Sequence, residues 1–152
     1  MIELTAGQPA PDFAIPDQTG AIVSLSDFRG KTVVLFFYPE DDTPGCTLEA
    51  CGLRDNYAAI QAKGAVVLGL SANNAESHRN FQAKYQLPFS LLADTDKTVI
   101  MAYGAWGTKT LHGNPVEGIL RHTYIIGPTG LITKIFRTVT TETHGVDIVG
   151  YL

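Results

Sequence analysis

Thr43-Pro44-Gly45-Cys46-Thr47-Leu48-Glu49-Ala50-Cys51 holds both cysteines of the chain and joins two segments of opposite character. Before it, Thr32-Val33-Val34-Leu35-Phe36-Phe37-Tyr38 is an apolar run of β-branched and aromatic residues closed by Pro39, as expected of a buried strand. After it, residues 48–63 carry apolar side chains at roughly helical spacing and stop at Gly64, a residue suited to the position just past a helix end. Cys46 therefore falls where a strand hands over to a helix. Unpaired backbone N–H groups and the positive end of the helix dipole at such a place favour an anionic sulfur.

Reading outward from this junction, residues 65–70 form a second apolar strand, and residues 74–85 have the capping residue and periodicity of a second helix. Strand, helix, strand, helix in that order implies crossover connections, hence parallel strands with helices on the sheet faces. Pro88 closes the second helix; residues 89–92 are a short strand and 95–103 a short helix, followed by an irregular stretch over 104–118. Residues 121–126 and 131–138 flank Gly127-Pro128-Thr129-Gly130, so a hairpin adds antiparallel strands. Toward the N-terminus, Gly7 to Phe13 is too proline-rich for a helix. Residues 13–15 and 22–25 flank the turn-forming Asp17-Gln18-Thr19-Gly20, and 26–31 supply a capping-type turn. Residues 143–152 form a short last helix, weakened by Gly145 and Gly150. The expected fold class is α/β, a mixed sheet with helices on both faces, in one domain spanning residues 1–152.

The 152 residues carry 11 Lys and Arg against 15 Asp and Glu, a formal net charge of −4, with no basic cluster. Nothing here resembles the electrostatic footprint of a nucleic-acid binder. Met1-Ile2-Glu3-Leu4 lacks the basic flank and apolar run of a signal peptide, and no segment is apolar over a membrane-spanning length. A soluble, cytoplasmic protein is expected. Two cysteines are too few for a structural disulfide framework, and in a cytosolic-looking chain such a pair is more often catalytic or metal-binding. His78, His112, His122 and His144 are scattered, none at zinc-ligand spacing from the cysteines, so no metal is expected.

Pro39, Thr43 and Cys46 match the PxxxTxxC signature of peroxiredoxins, and Cys46 to Cys51 resembles the bacterioferritin comigratory protein (PrxQ) subgroup. The likeness continues through Gly52-Leu53-Arg54-Asp55, Val67 to Ser71, Leu91 to Asp94, Trp106-Gly107 and Gly118-Ile119-Leu120-Arg121, so it covers nearly the whole chain. The resemblance implies a three-layer thioredoxin-like fold. It also implies a thiol peroxidase that reduces hydrogen peroxide and organic hydroperoxides without a cofactor. Cys46 would be the peroxidatic thiolate, attacking the terminal peroxide oxygen and leaving a sulfenic acid. Cys51 would resolve that acid as an intramolecular disulfide, which thioredoxin or a similar dithiol protein reopens. Arg121, with Thr43 and the Cys46 N–H, would stabilise charge on the two oxygens, and Pro39 would shield the sulfenic acid from water. The expected state is a monomer, with a weak dimer as the alternative.

Each assignment has a blander counterpart. A lone cysteine is most often a small buried hydrophobe, Arg121 by itself reads as a strand arginine in a surface ion pair, and Pro39 ends a strand in any case. Glu49 reads equally well as a helix first-turn charge and Trp106 as core or pocket packing. The acidic run Glu40-Asp41-Asp42 opposes a thiolate, which requires either a compensating cation or carboxylates that point to solvent. Five helical residues separate the cysteines by about 7.5 Å of rise, beyond disulfide reach, so resolution by Cys51 requires the helix to unwind locally. A protein thiol-disulfide oxidoreductase is disfavoured because the pair is CxxxxC, not CxxC. A redox-responsive binding protein would need the reactive thiol but no peroxide pocket.

Overall fold

A computed structural model describes residues 3–152. An antiparallel hairpin of β1 (Ala14–Pro16) and β2 (Ile22–Ser24) leads through a 3-10 turn at Leu25–Phe28 into β3 (Thr32–Phe37). Then follow α1 (Pro44–Asp55), α2 (Tyr57–Ala62), β4 (Ala65–Ser71), α3 (Ala75–Tyr85), β5 (Ser90–Ala93) and α4 (Thr98–Ala102). The chain ends with β6 (Trp106–Leu111), β7 (Asn114–Ile119), β8 (Thr123–Ile126), β9 (Ile132–Phe136) and α5 (His144–Tyr151). The main sheet runs β5-β4-β3-β8-β9, parallel between β3, β4 and β5 and antiparallel across β3–β8 and β8–β9. Among the described residues no helix is long and apolar enough to cross a membrane.

The continuous apolar character of β3 follows from its central place. Val33, Leu35 and Phe37 point into one core, with Phe13, Leu25, Val99, Ile100 and Tyr103; this face is covered by the N-terminal segment and α4. Val34, Phe36 and Tyr38 point into the other, with Cys46, Ala50 and Leu53 of α1, Ile60 of α2, Phe81 of α3 and Ile148 of α5. Alternation along one strand thus feeds two cores. Cys46 belongs to the second core and is 1% exposed.

Three sequence expectations change. The helix foreseen over 48–63 begins earlier, at Pro44, and breaks at Asn56. Proline suits the first helical turn because it has no N–H to leave unpaired. At the break, the Asn56 side chain and backbone both donate to the Gly52 carbonyl, at 2.8 and 3.2 Å, and α2 restarts one residue later. The stretch 104–118, expected to be irregular, is mostly a hairpin, β6 paired with β7 from Trp106↔Ile119 to Leu111↔Asn114. His112 and Gly113, at φ 52° and 81°, form its two-residue turn, a left-handed pair that matches the strand twist. The ribbon lies outside the main sheet and leaves most of its side chains exposed, so its residues show little apolar alternation. Gly107, Pro115 and Gly118 further weaken a strand signal. Trp106, the chain's single tryptophan, opens this hairpin half-buried, with Lys97 Nζ 5.4 Å from its ring centroid. The helix foreseen at 95–103 shortens to α4 because Lys97 turns back onto the Asp94 carbonyl in a left-handed conformation first.

Candidate active site

Thr43 is the N-cap of α1 and Cys46 its third residue, so the strand-to-helix junction lies where the sequence suggests. The first helical hydrogen bond runs from Thr47 N–H to the Thr43 carbonyl at 2.8 Å, so the Gly45 and Cys46 N–H groups precede the intrahelical ladder. Arg121, in the segment between β7 and β8, reaches this point from beside β3, whose Phe37 N–H donates to the neighbouring His122 carbonyl at 2.8 Å. Its Nη1 donates to Cys46 Sγ at 3.5 Å and to Glu49 Oε1 at 2.9 Å. Gly45 makes the approach possible, since a Cβ there would lie 3.2 Å from Arg121 Nη2. Burial works against charge on Arg121, but Cys46 and Glu49 outweigh it and hold the guanidinium pKa above its usual value. One permanent cation is thus divided between a sulfur and a carboxyl.

Glu49 lies one turn after Cys46 on the same helix face and is fully buried. Its Oε2 has no hydrogen-bond partner; the nearest cationic candidate, His144 Nε2 at the start of α5, stands 3.8 Å away and is engaged with Thr123 Oγ1 at 2.8 Å. Burial and the Arg121 charge pull the Glu49 carboxyl in opposite directions. Burial prevails and pushes its pKa up to about 7 despite the 2.9 Å ion pair. Burial likewise pushes His144 down to about 4, so its ring is neutral at neutral pH. The sequence offered Glu49 as a match to the subgroup or, equally, as a first-turn charge, and did not single out His144; with α1 starting at Pro44, no acidic residue falls in its first turn. The i, i+3 spacing from Cys46 was the available signal for Glu49.

The acidic run is drawn away from the sulfur and onto α3. Asp41 is buried and accepts from Tyr38 Oη at 2.6 Å and Ser77 Oγ at 2.8 Å, with His78 Nδ1 2.7 Å away; its N–H donates to Asn73 Oδ1. His78 Nε2 faces the Leu92 carbonyl at 2.8 Å, so both ring nitrogens meet oxygen acceptors. Asp42 accepts from Lys84 Nζ and Tyr85 Oη, both at 2.8 Å, while Glu40 is exposed. The expected cation stands at the sulfur, whereas only Glu40 and Asp42 are exposed; Asp41 is instead buried among its hydrogen-bond donors.

The remaining site residues divide. Thr43 Oγ1 donates to the Glu40 carbonyl at 2.9 Å, so its proton is committed and its oxygen remains an acceptor. Pro39 and Arg121 line a cavity of about 410 Å³ together with Lys109, Leu111, Ile119 and Val139. A neighbouring cavity of about 330 Å³ shares Leu120, His122 and Arg137 with it but includes neither Arg121 nor Pro39. Lys109, which the sequence did not single out, donates to the Ile119 carbonyl at 2.9 Å, and burial with Arg121 pushes its pKa down. Cys51 is half-buried on α1 with its thiol free, and burial pushes that thiol up. Trp106 stands on β6, outside the Cys46 shell described above. Among the described residues no cluster of three or more His, Cys, Asp or Glu could hold a metal ion.

Comparison with known proteins agrees with this arrangement. The model of the AhpC/TSA family matches residues 6–135. Peroxiredoxin Bcp of Escherichia coli is 41% identical over 152 residues, covering 100% of this chain and 97% of the relative. A cysteine-to-serine variant of Xylella fastidiosa PrxQ superposes with a TM-score of 0.92 at 28% identity, covering 99% of this chain and 96% of that one. The Xanthomonas campestris bacterioferritin comigratory protein, whose alkyl peroxide reduction has been studied through trapped intermediate and ligand complexes, gives 0.88 at 29% identity, over 97% and 96% of the two chains. Its mixed sheet is the thioredoxin-like sheet of these structures. With both cysteines on α1 and a guanidinium on the first of them, the chain belongs to the AhpC/TSA family as a peroxiredoxin of the Bcp/PrxQ group, and it is a thiol peroxidase.

Proposed function

We propose that Cys46 is the peroxidatic residue. Arg121 supports this assignment most directly, since its Nη1 contacts Cys46 Sγ at the open end of α1. The Cys46 thiolate attacks the terminal oxygen of a hydroperoxide; the S–O bond forms as the O–O bond breaks. The sulfur is oxidised to sulfenic acid, and the other oxygen leaves with a proton as water or an alcohol. Arg121 and the Cys46 N–H offset negative charge that develops on the oxygens. Thr43, whose proton is bound to Glu40, acts instead as acceptor for the hydroperoxide O–H and so orients it. Pro39 and Arg121 line a cavity that neither Cys46 nor Thr43 lines, and in this reading the Pro39 ring limits water at the sulfenic acid.

In this reading Cys51 is the resolving residue. Its thiol displaces hydroxide from the sulfenic sulfur, forms the disulfide and releases water; a dithiol protein of the thioredoxin type then reduces the bond. Both cysteines lie on α1 with about 7.5 Å of rise between them, so this step requires α1 to open. Both hydrogen peroxide and organic hydroperoxides are substrates, and the apolar walls formed by Leu111, Ile119 and Val139 favour a small organic group. Of the exposed large apolar residues Ile22, Leu48, Met101, Leu111, Leu131, Val146 and Tyr151, only Val146 and Tyr151 share an element, α5, which supports a monomer built as one domain over residues 1–152. Two cysteines, too few for a structural disulfide framework, are in keeping with the cytoplasm.

The test is intact mass and residual peroxide after one equivalent of hydroperoxide is added to reduced protein. Loss of two hydrogens with stoichiometric peroxide consumption is expected, and Cys51→Ser should instead stop at the sulfenic acid. Peroxide left unconsumed would overturn the assignment of Cys46.

A further inference from the structure

We propose that Glu49 is a positioning residue for the resolving step: buried midway between the two cysteines with one oxygen unpartnered, it holds α1 closed while neutral and releases it when ionised. This rests on the reading of Cys51 as resolver. Glu49 lies three residues after Cys46 and two before Cys51, so any opening that brings the two sulfurs together carries its carboxyl into water. In the closed helix Oε1 has one donor, Arg121 Nη1, which also serves the sulfur, and Oε2 has none. A charged carboxylate there is a half-satisfied buried anion; a neutral carboxyl fits the site far better.

The surrounding groups set the direction. Cys46 faces Glu49 from its own helix, Arg121 from the segment before β8, and His144 from α5, with exposed Asp147 acting on His144 and Lys109 on Arg121. Arg121 is the one of these placed to favour ionised Glu49, and burial overrides it. The closed form therefore binds the Glu49 proton more tightly than the open form, in which water returns the carboxyl to its ordinary range. Stability of the closed form is full below about pH 4.5, declines as pH rises toward about 7, and is constant above that. Over this window the opening constant should rise by about a hundredfold in total, at most about tenfold per pH unit.

Amide exchange of α1 in the reduced protein, from about pH 5 to about pH 8 and corrected for intrinsic exchange, reads the opening constant directly. We expect it to climb and level off near neutrality, with the β3 amides as a pH-insensitive control. In Glu49→Gln, where the side chain stays neutral, α1 should show a flat profile. A flat profile in the unmodified protein, or equal slopes in both, would overturn the proposal. A second measurement needs no variant: with ¹³C-labelled glutamate, the Glu49 carboxyl signal should titrate near neutrality, and a midpoint below about pH 5 would overturn it as well. Mass analysis of oxidised Cys51→Ser separates the two readings, because Cys51 can fail as resolver while the exchange profile stands.

Discussion

β3 and α1 meet through the same core, yet they are held in opposite ways. The strand is paired on both edges, and Val33 to Tyr38 are all at most 1% exposed. Helix α1 buries only Cys46, Glu49, Ala50 and Leu53, and one of these four is a carboxyl lacking half its hydrogen bonds. Leu48, an apolar residue between the cysteines, is 48% exposed and adds little. In the proposed cycle a rigid frame and an opening helix share one apolar cluster: the frame is fastened by apolar area and ladder bonds, the helix by three buried apolar residues and a few polar contacts.

Five substitutions bear on this comparison. Cys46→Ser should reduce peroxide consumption to the uncatalysed level, because a serine hydroxyl is not an ionised nucleophile at neutral pH; residual peroxide after mixing is the measure. Phe36→Ala, in the frame, should lower the unfolding free energy by about 3–5 kcal/mol in urea titration, whereas Leu48→Ala on the exposed face of α1 should change it by less than about 0.5 kcal/mol. If the two were equal, the division between frame and helix would be wrong. Gly145→Ala tests what fastens α1 from outside. A Cβ at Gly145 would overlap the Gly52 carbonyl, so α5 must shift from α1, with a loss of about 1–3 kcal/mol and faster amide exchange in α1 than in β3. Arg121→Ala should leave urea unfolding cooperative yet slow the reaction with hydroperoxide by at least about tenfold. An unchanged second-order rate would make Arg121 a structural residue.

The sheet was legible because its strands are uniformly apolar or bounded by strong turn chemistry, as at Thr32 to Tyr38 and Gly127 to Gly130. The hairpin of β6 and β7 was not, since its ribbon fully buries only Ile119 and its His112-Gly113 turn is not one of the strong dipeptide signals. Cys46 and Cys51 stand out in any reading of so short a cysteine list, and family likeness pointed to Thr43, Pro39 and Arg121. The burial of Glu49 beside His144 is a tertiary fact. It arises where α5 closes on α1, and Gly145, which counted against α5 as a helix, is the residue whose missing side chain permits that closure. The committed proton of Thr43 is equally local to the fold, set by the position of the Glu40 carbonyl.

Trp106, alone of its kind and half-buried beside Lys97, gives the molecule a single optical address. It lies on the hairpin whose second strand leads toward Arg121, not on α1. Its emission therefore reports on the cavity wall, while the tyrosines Tyr38 and Tyr57 lie nearer the helices. An indole signal silent through oxidation would mark the wall as a spectator.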